Sequence, residues 1–166
     1  MLPGIDLRLR NMIKSIEDIV LPAIPGDQSL AREQARLIAG HLAIIKDQWR
    51  HAVRFEAGSL AALVDLAWAL IPLLPDDQAR DLNAAAEATA RIDWQDIDAL
   101  NASICAVGAA VDKVILGEEG TRPLGPEAWA AVLAYGEKDA QRQRTWFQGV
   151  GIDPDRSELP PVASLG

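Results

Sequence analysis

The chain has 166 residues, 49% of them hydrophobic and 5% aromatic, with a formal net charge of −8. That length suits one domain with a single real core, and richness in Ala and Leu favours packed helices over a β-sandwich. The acidic balance repels phosphate backbones and anionic lipid, so nucleic acid is excluded as an expected partner.

The first predicted helix runs from Ile5 to Leu21, where Ile5, Leu9, Met12, Ile16 and Ile19 recur at alternating steps of four and three. Such spacing keeps one narrow stripe facing a neighbour. Pro22-Ala-Ile-Pro25-Gly26-Asp27 ends it, because proline removes a donor and restricts the residue before it. The second helix starts at Asp27 or Ser29 and continues to Arg54 or Glu56. Its seam is Ala31, Ala35, Ile38, Leu42, Ile45, Trp49 and Ala52.

Gly58-Ser59 reads as a break and a new cap, opening a third helix to Ile71. This helix has two apolar faces, one with Leu60, Val64, Ala67 and Ile71, the other with Leu63, Leu66 and Leu70. Its apolar run is shorter than the ~20 residues a bilayer requires and is interrupted by Asp65 and closed by Pro72 and Pro75. A buried helix is therefore expected there, and no membrane span.

Pro75-Asp76-Asp77 begins a fourth helix to Arg91 with a thin stripe of Leu82, Ala86 and Ala90. Asp93 is read as the cap of a fifth, with Asp96 in the capping-box position and the cleanest seam of all: Ile97, Leu100, Ile104, Val107, Val111 and Val114. The turn Gly117-Glu-Glu-Gly120 ends it. Gly125-Pro126-Glu127 opens a sixth helix to Phe147. The expected fold is all-α, an antiparallel, up-and-down bundle of five to six helices with a four-helix-bundle-like core. Residues 1–149 form its single domain, and residues 150–166 an extended or partly disordered tail.

Chemical signals are sparse. His41 and His51 are about 80° and ~15 Å apart on one helix, too far for one metal ion. Glu17, Glu33 and His41 are the weak metal candidates, brought together only by a hairpin. Asp76, Asp77 and Asp81 fit a helix N-terminus, where acidic residues complement the macrodipole. Cys105, the single cysteine, has no cation within a turn and reads as a small buried thiol in a reducing compartment. The opening Met-Leu-Pro-Gly-Ile-Asp lacks a basic region followed by an apolar core, so no signal peptide is expected, and the location is read as cytoplasmic.

A helix apolar on most sides needs cover on most sides. The leading expectation is a non-enzymatic bundle acting through protein–protein contacts as a homodimer, or with another protein. Leu63, Leu66, Trp68, Leu70, Trp146 and Phe147 are its expected contact residues. The alternative is a small-molecule-binding bundle whose apolar inter-helix pocket uses His41, Trp49 and Asp65; a solvent-facing Asp65 is favoured, since positions 58 and 72 share its side. A metal-dependent enzyme using helix-borne carboxylates and His41 is third. No cofactor is expected.

Overall fold

The computed structural model describes residues 4–117 and 123–165, and is all-α, with no strand among the described residues. The chain divides into two compact units. The first comprises residues up to 50 together with 144–162; the second comprises 51–143 and the last residues from 163.

In the first unit, α1 (Ile5–Ser15) passes into a π-helical turn (Ile16–Val20) and a short α2 (Leu21–Ala23). The wide turn lies just before Pro22, whose missing N–H leaves the carbonyl one turn back without its usual donor. Asp6 in the first turn and Lys14 in the last complement the helix dipole. The next long helix, α3 (Ser29–Gln48), returns antiparallel.

Both ends of this hairpin are tied. Asp6, at the start of α1, accepts the Trp49 indole N–H at 2.9 Å and pairs with the Arg50 guanidinium, both just past the end of α3. At the other end, Arg32 Nη1 donates to the Ile24 carbonyl at 3.1 Å. Leu9, Ala35 and Ala39 are buried, and the alanines leave little side chain to hold neighbouring backbone away. Gln48 Nε2 donates to the Trp146 carbonyl at 2.7 Å, and the 3-10 turn Gln148–Val150 packs on α3.

The second unit holds α4 (Ala52–Leu70), α5 (Asp76–Ala88), α6 (Ile97–Leu116) and α7 (Pro126–Trp146) as far as residue 143. Its core is built from Leu60, Leu63, Leu66 and Leu70 of α4, Leu82 and Ala86 of α5, Leu100, Val107, Val111 and Val114 of α6, and Ala128 of α7. The seam read along α6 is thus its buried stripe, except that Ile97 is exposed and Ile104 half-buried.

Several boundaries differ from the sequence reading. The second predicted helix is broken at Trp49–His51, not at Gly58-Ser59. The two side chains held by Asp6 sit at that break. Gly58 lies inside α4, where the Arg142 guanidinium occupies the space a Cβ would fill, at 2.7 Å. Arg142 Nη2 donates to the Phe55 carbonyl at 2.9 Å, and its guanidinium stacks 5.2 Å above the Phe55 ring. Gly58 is therefore a space-maker rather than a helix breaker.

Asp96, not Asp93, caps α6, accepting from Asp98 N at 2.9 Å; Asp93 instead makes a turn to Gln95 N. Gly117 ends α6 with φ 69°, and the rest of the predicted 117–120 turn lies outside the described residues. Residues beyond 150, expected as an extended or partly disordered tail, include the 3-10 turns Arg156–Glu158 and Val162–Ser164.

Two glycines make a direct test of these helices. Gly40 in α3 and Gly136 in α7 have open space around a built Cβ. Gly40→Ala and Gly136→Ala should each stabilise the protein by about 0.5–1 kcal/mol, since Ala restricts the unfolded chain and favours helix. Denaturant melts check this; a loss of stability at either site would show that the space is not free.

Candidate functional site

The residues singled out from sequence are distributed through both units. His41 is exposed on α3, and Trp49 is half-buried with its N–H committed to Asp6. Asp65 is exposed on α4, the solvent-facing placement. Glu17 and Glu33 are exposed. Among the described residues, no group of three or more His, Cys, Asp or Glu side chains is placed to hold a metal ion, so Glu17, Glu33 and His41 are not brought together as a ligand set. Cys105 is exposed, contrary to the buried thiol expected, because it sits one residue off the buried stripe of α6.

Of the six expected contact residues, Leu63, Leu66 and Leu70 are at most 6% exposed. Helices α5 and α6 of the same unit pack on α4, so both apolar faces of that helix are used internally and these leucines are not surface. Trp68 and Phe147 are exposed and Trp146 is half-buried. By length and composition, Ala52–Leu73 and Ile97–Leu116 would suffice to cross a membrane, a test that the core helices of soluble bundles also pass.

Both helices of the first unit carry exposed apolar side chains, Leu7, Val20, Leu30 and Leu37 among them. Ile5, Met12 and Ile19 are 48%, 43% and 67% exposed, and Ile38 and Ile45 are 53% and 48% exposed. Their spacing is regular: seven and seven along the first helical segment, and seven again along α3, with exposed Ala31 seven before Ile38. At about 100° per residue, Ile5 and Met12 are turned roughly 50° from buried Leu9. The Ile38 ridge is turned roughly 90° from buried Ala35 and Ala39.

Both turns run backwards along the sequence. Since the helices are antiparallel, they bring the two ridges to the same side of the hairpin. The hairpin closes with one half of each seam and presents the other half outward.

The charges follow the opposite arrangement. The same helical geometry places Asp6, Glu17, Glu33 and Asp47 away from the apolar side, and Asp18 on the outer side of the first helix. Arg8, Ser15, Gln34 and His41 fall along its edges. The carboxylates of these two helical segments thus lie off this layer.

Other features carry less chemistry. An open hollow at the start of α3 is lined by Gly26, Ser29, Leu30, Arg32, Glu33 and Arg36. Burial pushes the Glu56 carboxyl above its ordinary value, opposed by the Arg142 charge. Near the end of the first unit, Arg144 Nε donates to Asp153 Oδ2 at 2.7 Å and Nη2 to Oδ1 at 3.1 Å.

That hydrogen bond holds Asp153 below the usual carboxylate range. The sign follows: the pair's contribution is full above the ordinary Asp value and is lost as pH falls through the lowered one. Asp153→Asn should therefore raise amide exchange in residues 151–159 at neutral pH and have progressively less effect toward pH 3. Equal effects at both pH values would assign the order of this segment to something other than the ion pair.

Comparison with protein-family models, with curated proteins and with solved structures returns no match.

Proposed function

We propose that this chain is a non-enzymatic, cytoplasmic helical protein that acts through protein–protein contacts as a homodimer. The observation that carries the reading is the apolar layer of Ile5, Met12, Ile19, Ile38 and Ile45, exposed together on one side of the first unit. Scattered apolar residues on a surface need no explanation, but two regularly spaced ridges forming one layer mark an interaction site. Among the described residues, no three His, Cys, Asp or Glu side chains are placed to hold a metal ion. The α4 and α6 helices, apolar as they are, turn their buried stripes into a shared core, which favours a soluble reading of both.

Native mass spectrometry of protein purified without added metal or ligand tests the reading. Twice the chain mass, with no adduct, is the expected result. A monomer carrying a small molecule or a metal would replace the reading with a binding or enzymatic one, and the adduct would identify it.

A further inference from the structure

Resting on the homodimer reading, we infer that the partner of the apolar layer is the same layer on a second copy of the chain, the two hairpins closing face to face into an intermolecular four-helix bundle. Three observations lead to that occupant. The first is spacing. Ile5 and Met12 on α1, and Ala31, Ile38 and Ile45 on α3, stand seven residues apart, the period that lets helices interdigitate at a shallow angle. The hairpin has already consumed the adjacent half of each seam, and a hairpin showing only half of its seam is half of a bundle.

The second is charge. Two copies of a chain at −8 repel each other over most of their surface. The layer carries no carboxylate, and its nearest charge is Arg8 at one edge. Within the hairpin it is the side with the fewest like charges, and it offers no array of one sign to select an oppositely charged partner.

The third is area. From Ile5 to Ile19 the layer is roughly 21 Å long, and two helices side by side make it ~20 Å wide. In projection that is roughly 420 Å² per partner, about half the ~800 Å² of a standard stable interface and in the range of weak, reversible contacts. A two-fold axis through its centre satisfies both copies at once, because each ridge meets its complement in the other.

Ile38→Glu and Met12→Glu test the geometry from opposite helices, and Leu133→Glu, at a 67% exposed residue of the second unit, is the control. Both residues of the layer are half-exposed within one chain, so helicity by circular dichroism should be retained. Sedimentation velocity over a dilution series should show the dimer dissociation constant rising roughly 100-fold or more for either layer variant, since the symmetry buries two charges per dimer. The control should stay near wild type. Should the acidic variants lose helicity, Ile45→Gln gives the same test with a milder change.

A wild-type chain that is monomeric overturns both this inference and the homodimer reading. A wild-type dimer that Ile38→Glu and Met12→Glu leave intact overturns the inference alone and moves the interface elsewhere, to the Trp68 or Leu133 surfaces.

Discussion

Leu100→Ala should lower the unfolding free energy of the second unit by about 3 kcal/mol, the middle of the range for truncating a buried leucine. Leu100 is fully buried in the first turns of α6, in a core with the leucines of α4 and with Leu82 of α5. Removing it deletes three carbons of buried apolar surface and leaves a void that the surrounding helices only partly close. Val107 and Leu60 of the same core are also fully buried. Chemical denaturation monitored by the three tryptophans of the second unit, Trp68, Trp94 and Trp129, each taken singly, would show its transition move. A loss below about 1 kcal/mol would mean that the α4–α6 contact is not the close-packed centre described.

Ala39→Leu is the second large effect, and it acts by overfilling. Ala39 is 6% exposed on α3, among the positions that close the hairpin. Three extra carbons there must displace the opposing chain and pull on the Asp6 contacts to Trp49 and Arg50. A cost of about 1–3 kcal/mol is expected. The same substitution at Ala31, exposed on the same helix, should change stability by no more than about 0.5 kcal/mol. Equal costs at the two positions, in thermal melts, would contradict the assignment of inner and outer halves of the seam.

That division into halves marks the limit of what the chain's periodicity conveys. On α6 the seam and the buried stripe coincide, because Leu100, Val107, Val111 and Val114 face one core within their own unit. On α1 and α3 the same 3-4 spacing was equally legible. Periodicity specifies a stripe but not which partner covers it. Leu9, Ala35 and Ala39 are covered within the chain, while Ile5, Met12, Ile38 and Ile45 are not. The outer ridges were read as seam and so were missed as candidate interface. The signal available was their strict seven-residue recurrence.

The choice of Leu63, Leu66 and Leu70 as contact surface failed for a related reason. A helix apolar on two sides can be covered by a partner or by its own chain, and here α5 and α6 supply the cover. The break at Trp49–His51 carries no local signal; its indole and guanidinium meet Asp6, 43 and 44 positions earlier. Gly58 was misread for the same reason, since the guanidinium that needs its space comes from Arg142, far along the chain. Local rules recovered the helices, the proline stops and the glycine end of α6. Contacts between distant residues decided the rest.

Sedimentation equilibrium of the full chain, from low to high micromolar concentration, tests the central claim most directly. A reversible monomer–dimer equilibrium that shifts to dimer with concentration is the predicted result. A monomer mass that stays constant across the whole range would contradict it, leaving the apolar layer of the first unit without the partner assigned to it.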